Sequence, residues 1–507
     1  MPRRDLAAVL VLLGVLGVSC RRPPETGAAR AVTLAPGTPV LSLDPTLTEG
    51  TTYSALSNVF EPLVAYDPQL QIVPALATRW STPDENTWVF ALRPGVLFHD
   101  GTLLDAAVVA SALDRARTAP ESTARGALWA VSEVEATGPL AIRIRTSVPD
   151  ALLLHELTLV FVARGSSRAE VEATPVGTGP YRVAAWDPAG ALDLVAWENH
   201  WAGPPAIPSL RIAPLPKRGD GVRSVARGET DIAEISAPAA RRAPPEGVRF
   251  ATSPGLTTHY LWMNGPALVD GRPNPFHDVA VRRAVARAVD RGRLALEATG
   301  SSATAATQIV PATVVGYPAS LPATPFDPAG ARTLLAGAGY RLPRDATLAH
   351  RSDPEAEGVA KLLKEMLDAV GFRVTLKPMP WGELLLETRE GRVGLFLSGW
   401  GFDAADAGGF LRDCVRSRVQ GGATGVFNPG YVNRDIDRLV DASHSVFIST
   451  SRLALLEEAI RIATDEAPLV PLYHQPDAWA VSTRLDWKPR LDGRLIATEI
   501  RLSGGAR

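Results

Sequence analysis

The sequence predicts an α/β protein that is large enough for more than one lobe. Large apolar residues alternate at Trp88, Phe90 and Leu92, which is the spacing of a β-strand. Elsewhere apolar residues recur every three or four positions, as they do on one face of an amphipathic helix. The chain has 507 residues, of which 46% are hydrophobic and 21% are charged. A chain of this length and balance can form two or more lobes, each with its own core.

The first predicted strand is followed by a turn and a helix. The turn is His99-Asp100-Gly101, and Asp105 is expected to be the N-cap of the helix, since a short acidic side chain can accept from the first free backbone N–H groups. The apolar stripe of this helix consists of Val108, Val109, Ala112 and Leu113.

Two further helices are predicted in the second half of the chain. The stripe of the first is Val281, Ala284, Val285, Ala288 and Val289, with Arg282, Arg283 and Arg287 outside it. The stripe of the second is Val359, Leu362, Leu363, Met366, Leu367 and Val370. Gly371 is expected to close this second helix as a C-cap, and the alternation in 372–379 predicts a strand directly after it.

The stretch LSGWGFDAADAGGFL at 397–411 has an unusual composition. Apart from its aromatic residues and two carboxylates it consists mostly of Gly, Ala and Ser, so we expect it to bury little core. It places Asp403 three residues after Trp400.

Composition and motifs exclude several classes of protein. The formal net charge of −2 gives no general attraction to nucleic acid or to acidic membranes. Two cysteines, Cys20 and Cys414, are too few for a disulfide framework or a zinc site, and the eight histidines show no pair at metal-ligand spacing. HELTL at 155–159 lacks the second histidine of a metalloprotease helix, and no P-loop or G-x-S-x-G elbow occurs. We therefore expect no cofactor and no metal, and we expect Cys414 to be a small buried residue.

The N-terminus predicts export. Arg3 and Arg4 precede an apolar run at 6–18, which is too short to span a membrane as a mature helix and is typical of a secretory signal. Cys20 closes this signal, as in a bacterial lipobox, where the cysteine becomes the lipidated N-terminus. The alternatives are plain secretion with cleavage near Ser19 and a twin-arginine signal. Residues 21–31 are expected to be a flexible tether.

The mature chain resembles the family 5 extracellular solute-binding proteins of ABC importers. The resemblance begins with SLDPTLTEGTTYSALSNVFEPLVAYDP from Ser42 and continues with LRPGVLFHDGTLLDAAVVASALDRA from Leu92. PVGTGPYRVAAWDPAGALDLVAWENHW from Pro175 is similar to the Gly-Thr-Gly-Pro-Tyr crossover of the family. VRRAVARAVDRGRL, FDPAGARTLLAGAGY and ATDEAPLVPLYH follow in the family's order, so the resemblance extends from about residue 32 to about residue 485.

The resemblance implies a type II periplasmic binding protein fold with mixed β-sheets flanked by helices. Two lobes joined by hinge crossings enclose a ligand cleft in this fold. Lobe I is expected from 32–49, 175–263 and 480–507, and lobe II from 264–479. An extra subdomain at 50–174 is expected to be inserted into lobe I. Such architectures close on their ligand by hinge bending.

The resemblance also implies a ligand-binding loop. In peptide-binding members, an Asp three residues after a Gly-Trp pair holds the α-ammonium of the ligand, and the matching residues here are Trp400 and Asp403. A carboxylate in a closed cleft needs a cation, and an ammonium gives it a charge-assisted hydrogen bond. Trp400 could supply an apolar wall, and Gly399 and Gly401 would allow a close approach of the ligand backbone.

Two further ligand contacts are implied, each with a structural alternative. Arg351 falls where dipeptide-binding relatives clamp the peptide carboxylate, but Asp353 could pair with it and make it an ordinary surface arginine. Thr48 falls where the first lobe of those relatives touches the ligand, but it could equally be a helix N-cap ahead of Ser54.

The sequence thus predicts a binding protein rather than an enzyme. The resemblance implies a lipid-anchored monomer on the periplasmic or extracytoplasmic side that captures a short peptide or similar zwitterionic molecule. Its partners would be the membrane permease and ATPase subunits of an ABC transporter. The alternative is a secreted hydrolase that uses Asp403 and Asp406 as a carboxylate pair for glycoside hydrolysis.

Overall fold

The computed structural model describes residues 31–47, 50–215, 217, 219–297, 303–340, 342–420, 422 and 424–504. The predicted signal peptide with Cys20, nearly all of the predicted tether and Thr48 lie outside these residues. Among the described residues, no helix combines the length and the apolar character that crossing a membrane requires.

Strands and helices are interspersed along the described chain. The strands are β1 (Val32–Ala35), β2 (Glu61–Pro62), β3 (Val64–Tyr66), β4 (Ile72–Pro74), β5 (Ala77–Asp84), β6 (Thr87–Leu92), β7 (Val131–Gly138), β8 (Ala141–Thr146), β9 (Phe161–Val162), β10 (Tyr181–Trp186), β11 (Leu192–Ala196), β12 (Ser209–Ile212), β13 (Ile232–Glu234), β14 (Val248–Met263), β15 (Leu268–Val269), β16 (Arg272–Pro273), β17 (Thr304–Ala305), β18 (Arg344–Arg351), β19 (Phe372–Met379), β20 (Leu395–Gly401), β21 (Leu469–Ser482), β22 (Leu485–Asp486) and β23 (Arg501–Leu502). The α-helices are α1 (Gly50–Leu56), α2 (Ala106–Thr118), α3 (Leu153–Leu157), α4 (Arg168–Ala173), α5 (Gly221–Ala226), α6 (Val279–Ala288), α7 (Arg291–Glu297), α8 (Pro328–Gly337), α9 (Pro354–Asp368), α10 (Trp381–Arg389), α11 (Ala407–Phe410), α12 (Arg434–Ser445) and α13 (Ser449–Glu466).

The main sheet is mixed and runs through most of the chain. Its strand order is β10-β11-β12-β1-β13-β21-β14-β20-β18-β19, and β17 adds to β21. The pairs β1–β12, β1–β13, β18–β19 and β18–β20 are parallel, whereas the other pairs along this path are antiparallel. The predicted mixed α/β class is confirmed.

Two long strands connect the two ends of this sheet. The first half of β14 pairs with the second half of β21, beside β13, and the second half of β14 pairs with β20. The β14–β21 register shifts between Ser253 and Thr257, where Gly255 has a φ of 70°. A side chain on Gly255 would lie 2.2 Å from the carbonyl oxygen of Gln475, so only glycine fits this bend.

A separate antiparallel sheet lies within the predicted inserted subdomain. Its strand order is β5-β6-β8-β7, and α2 covers it. The side chains of β6 are alternately half-buried and buried, so Trp88, Phe90 and Leu92 face the core as predicted. Asp105 caps α2 as predicted, because its carboxylate accepts from the backbone N–H of Val108 at 2.9 Å.

The predicted helices of the second half are present and pack on the main sheet. α9 carries its predicted stripe and Gly371 follows it with a φ of 111°, directly before β19. The stripe of α6 is buried as predicted. Arg282 is buried as well, although the pattern places it outside the stripe. Its guanidinium donates to the carbonyl oxygens of Glu466, His277 and Phe276 at 2.8, 2.9 and 3.1 Å.

The prediction that 397–411 buries little core is wrong. Phe402 and Phe410 are 2% and 1% exposed, and their ring centroids are 5.2 Å apart. Asp406 forms a buried, bidentate ion pair with Arg452 of α13, with distances of 2.7 and 2.8 Å. Aromatic packing and one internal ion pair therefore give this Gly-rich segment a core that its composition does not suggest.

Candidate ligand-binding cleft

Strand β20 delivers the predicted binding loop to the bend between the two ends of the sheet. Gly401 pairs with Thr257 and Gly399 pairs with His259 on β14. The chain then leaves the strand, and the backbone N–H of Phe402 donates to the carbonyl of Leu256 at 3.0 Å. Asp403 follows directly, so the pairing of β20 with β14 fixes its place beside the bend.

Asp403 lines a cavity of about 380 Å³, and both ends of the sheet contribute residues to its walls. Thr257 and Asp403 come from the side that carries β20, whereas Glu234, Asp477 and Trp479 come from the side that carries β13. Further described lining residues come from the start of the chain, from α1 and from the C-terminal loop: Pro36, Gly37, Thr38, Gly50, Thr51, Tyr53, Ser54, Asp492, Gly493, Arg494 and Leu495.

The carboxylate of Asp403 has no cationic partner within salt-bridge distance among the described residues. The side chain is exposed to the cavity. Desolvation by the protein groups packed around the carboxylate raises the pKa of Asp403; Arg494 opposes the rise and Asp492 adds to it. Because desolvation disfavours the anion, a bound cation would relieve an existing electrostatic cost.

A charged network that the sequence analysis missed forms the opposite wall. Arg490 donates to Asp492 at 2.8 and 2.9 Å, and Arg494 lies 3.5 Å from the same carboxylate. The guanidinium of Arg494 also lies 4.4 Å from the centroid of the Tyr53 ring. Alternating charges in RLDGR at 490–494 are a signal that could have drawn attention to this loop.

Arg351 lines a neighbouring cavity of about 350 Å³, together with His259, Gly399 and Gly401. Thr257 lines both this cavity and that of Asp403, so the two are adjacent. Arg351 donates to Asp353 at 2.7 Å, and its side chain is 52% exposed. This geometry matches the alternative in which Arg351 is a surface arginine paired with Asp353. Asp353 also caps α9, because its carboxylate accepts from the backbone N–H of Ala356. A role of Arg351 in holding a ligand carboxylate stays a prediction.

Trp400 faces away from the cavity of Asp403. Its ring packs edge-on against Phe410 and Phe427, with centroid distances of 5.9 and 5.4 Å. Together with Trp262 and Trp381 it lines an apolar cavity of about 150 Å³. Side chains alternate along a strand, so Trp400 lies on the opposite face of β20 from Gly401. The structure thus separates Trp400 from Asp403 while keeping both beside β20.

Asp406 cannot act with Asp403 as a catalytic carboxylate pair. Its side chain is fully buried, both oxygens accept from Arg452, and one also accepts from the backbone N–H of Gly408 at 2.7 Å. Despite its burial the pKa of Asp406 is lowered, because Arg452 stabilises the anion. A carboxylate held in this way has no access to substrate, so the hydrolase alternative loses one of its two residues.

The remaining predicted features are structural or lie outside the described residues. Cys414 is a free, buried thiol, as expected. His155 of the HELTL segment bonds the Tyr66 hydroxyl at 2.7 Å, and Glu156 is paired with Arg412 at 2.5 Å. Within the described parts of the chain, no three His, Cys, Asp or Glu side chains are placed to hold a metal ion.

The main sheet has two ends that are connected by two long strands, and residues from both ends line the cleft. This is the architecture of a two-lobed binding protein, and two solved structures have the same fold. The periplasmic binding protein DppA from Helicobacter pylori, in complex with the peptide STSA, is similar with a TM-score of 0.79, 22% identity and coverage of 93% of this chain and 98% of that one. NikA from Brucella suis, in complex with Fe(III)-EDTA, is similar with a TM-score of 0.82, 21% identity and coverage of 94% and 100%.

Sequence comparison identifies the family. The model described as bacterial extracellular solute-binding proteins, family 5 Middle, matches residues 71–421, and the chain belongs to this family. Among characterised relatives, the glutathione-binding protein GsiB of Salmonella typhi is 27% identical over 465 residues, which cover 88% of this chain and 89% of that protein. The predicted family and its two-lobed fold are confirmed.

Proposed function

We propose that this protein is the substrate-binding component of an ABC importer for a short peptide or similar zwitterionic molecule. It captures the ligand outside the cytoplasm as a monomer and delivers it to the permease and ATPase subunits. The carrying observation is Asp403, a carboxylate that has no cationic partner within salt-bridge distance among the residues the structure describes and that lines a cavity of about 380 Å³ between the two ends of the sheet. An α-ammonium supplies the missing charge together with hydrogen bond donors.

The relatives support a peptide ligand. GsiB is named for glutathione, a peptide-like molecule with a free ammonium, and the DppA structure contains the peptide STSA. The Fe(III)-EDTA complex of NikA represents the other kind of cargo that this fold accepts, so the fold alone does not select peptides. The charge at Asp403 favours the peptide over a carboxylate-rich chelate, because the latter would place like charges together.

The neighbouring cavities fit the other end of such a ligand. Arg351 lies in the cavity that adjoins the site of Asp403, and its fork can exchange Asp353 for a ligand carboxylate. Gly399 and Gly401 offer backbone without side chains along the same edge of β20. Trp400 then provides the wall of a separate apolar cavity for a ligand side chain rather than a wall beside the ammonium. Thr48, in lobe I, is proposed as a further contact with the ligand.

Closure on the ligand would occur at the bend in β14 and β21. We propose that the chain is divided into two lobes and an inserted subdomain. Lobe I comprises 32–49, 175–263 and 480–507, the inserted subdomain 50–174, and lobe II 264–479. The bend at Gly255 lies close to the proposed boundary between lobes, and two strand connections with a local register shift are suited to hinge motion.

The proposed function has a direct solution test. A ligand that binds only the folded state stabilises it by about 2.7 kcal/mol at a hundredfold excess over its dissociation constant. We therefore expect short peptides with free termini to raise the melting temperature of ligand-free protein and to be recovered intact after incubation. Recovery of cleaved peptide would support an enzyme and contradict a transport role.

Lipid anchoring through Cys20 is a second part of the proposal. Its basis is the signal sequence that ends at this residue, followed by the proposed tether at 21–31. A Cys20→Ser variant expressed in a bacterial host with a lipoprotein pathway is expected to leave the membrane fraction and appear as soluble exported protein. A matched Ser19→Ala variant should remain anchored. Retention of Cys20→Ser in the membrane fraction would show that another feature holds the protein there.

A further inference from the structure

Asp403 lies in a tight and strained turn. The backbone N–H of Ala405 donates to the carbonyl of Phe402 at 2.7 Å, so Asp403 and Ala404 are the two central residues of this turn. Ala405 has a φ of 48°, in the left-handed region that alanine rarely adopts. Such a conformation persists only where surrounding contacts hold it, and strain of this kind is concentrated at functional sites. The contacts that hold the turn therefore help to decide where the carboxylate of Asp403 points.

One of these contacts comes from the proposed inserted subdomain. The hydroxyl of Tyr66, at the end of β3, donates to the carbonyl oxygen of Ala404, the residue directly after Asp403. Tyr66 is 4% exposed, and burial raises the pKa of its hydroxyl, so the proton that forms this bond is retained. Val315 of the proposed lobe II donates to the next carbonyl, that of Ala405, at 3.0 Å. The turn is thus held by the inserted subdomain on one side and by lobe II on the other.

His155 of α3 fixes the position of the Tyr66 hydroxyl. Its Nδ1 atom lies 2.7 Å from the hydroxyl oxygen. Burial lowers the pKa of His155, so its ring is neutral near pH 7. Because the hydroxyl proton is donated to Ala404, Nδ1 must carry the ring proton and donate it to the oxygen of Tyr66. Two successive hydrogen bonds therefore connect α3 to the backbone beside Asp403.

The next residue of the same helix forms a second link to the segment that carries Asp403. Glu156 pairs with Arg412, which follows α11, at 2.5 Å, and their side chains are 4% and 5% exposed. His155 and Glu156 both belong to the HELTL stretch at 155–159, which resembles an incomplete metalloprotease motif. In the structure these two side chains share another role, because both dock the inserted subdomain on the segment that carries Asp403.

We propose that Tyr66 is a positioning residue for the ligand's ammonium and that His155 supports it in this role. Tyr66 does not belong to the residues that line the cavity of Asp403, so it acts on the ligand through the turn. It holds the carbonyl of Ala404, keeps the strained turn in place and thereby aims the carboxylate of Asp403 into the cavity. The inserted subdomain then takes part in ligand recognition from outside the cavity. This inference rests on the proposed function, since it assumes that Asp403 binds an ammonium.

The test measures how strongly binding depends on the ammonium in each variant. Ligand-free protein is titrated calorimetrically with Ala-Leu and Ala-Ala-Leu and with their N-acetylated forms, which lack the cation. The quantity compared is the ratio of the affinity for the free peptide to that for its acetylated form. We expect Tyr66→Phe to lower this ratio by about tenfold, through weaker binding of the free peptides alone. The loss is smaller than that expected for Asp403→Asn, because the carboxylate is still present but is no longer fixed.

Three further comparisons separate positioning from general stability. In Asp403→Asn protein, Tyr66→Phe should have almost no additional effect on affinity, because no carboxylate is left to aim. Tyr181→Phe is the matched control: this buried hydroxyl donates to the carbonyl of Ile207 at 3.0 Å in the proposed lobe I, and its removal should leave the ratio unchanged. His155→Leu removes the donor to Tyr66 and should lower the ratio by about fivefold. His155→Asn should retain most of the ratio, since its side-chain N–H can replace that of Nδ1.

Each outcome decides the inference. An unchanged ratio in Tyr66→Phe overturns the positioning role and leaves the proposed function intact. An equal loss of affinity for free and acetylated peptides overturns it as well, because a purely structural role would have that effect. Wild type that binds neither free peptide contradicts the proposed function and this inference with it. If Tyr66→Phe does not fold, the two variants of His155 decide, and equal ratios in His155→Leu and His155→Asn overturn the inference.

Discussion

Asp403→Asn is expected to lower the affinity for the natural ligand by several hundredfold or more. The substitution keeps the shape of the side chain and removes its charge, so the ligand's ammonium would enter the closed cleft without a counter-charge. Leaving one member of a buried ion pair uncompensated costs roughly 3–5 kcal/mol, and each 1.4 kcal/mol is about tenfold in affinity. Calorimetric titration of ligand-free protein measures the change directly.

The stability of the Asp403→Asn variant without ligand should not fall, in contrast to its affinity for the ligand. The folded-state pKa of Asp403 is raised, so its anion is disfavoured in the folded protein above the ordinary pKa of an aspartate. The neutral amide should therefore leave the stability of the empty protein unchanged or increase it slightly. N-acetylation of the peptide should weaken binding to wild type strongly and to the variant much less. Equal affinity of variant and wild type for the natural ligand would mean that no ammonium lies at Asp403.

Arg452→Met is expected to destabilise the folded protein by about 3–5 kcal/mol. The variant would leave Asp406 buried without its bidentate partner, and both side chains are almost inaccessible, with 8% and 0% of their surfaces exposed. Methionine keeps much of the side-chain length, so the loss is chiefly electrostatic. The free energy of unfolding from denaturant titration gives the magnitude.

The same helix offers a matched control for that variant. Arg461 of α13 pairs with Glu458 at 2.7 Å, but both side chains are about half exposed, at 53% and 44%. Arg461→Met should cost less than about 1 kcal/mol, as is usual for a solvent-exposed pair. Similar losses in the two variants would contradict a special role of the Arg452–Asp406 pair in holding the segment that carries Asp403.

Local elements could be predicted from the sequence because their signals are local. The N-cap at Asp105, the stripe of α9 and the strand at 372–379 depend on residues within one or two turns of each other, and all appear in the structure. The order of the six family-like segments similarly predicted the family and its fold, which the comparisons confirm.

Contacts between distant segments could not be predicted from the sequence in the same way. The core of 397–411 depends on Arg452 and on Tyr260, whose ring centroid lies 5.4 Å from that of Phe410. Glu156 likewise pairs with Arg412, far away in the chain. The local composition of 397–411 indicates a loose loop, and that of 155–159 indicates an incomplete metalloprotease motif. In both segments the contacts that decide the structure come from residues far away in the chain.

The candidate site was predictable only in its most local part. The position of Asp403 relative to Trp400 follows from the family-like segment, but the strand alternation that turns Trp400 away depends on where β20 ends. The acidic character of the cavity arises because β13, β21 and the C-terminal loop bring Glu234, Asp477 and Asp492 to one place. No spacing along the sequence connects these three residues.

Native mass spectrometry of the purified protein tests whether Asp403 holds a ligand that carries a cationic amine. The protein released from its export host under non-denaturing conditions should carry a ligand in its cleft, and that ligand can be ejected and fragmented. We expect an intact short peptide, or a similar small molecule, with a free cationic amine, which Asp403→Asn protein does not retain. A bound molecule without any cationic amine, retained equally by wild type and by Asp403→Asn, would contradict the role proposed for Asp403.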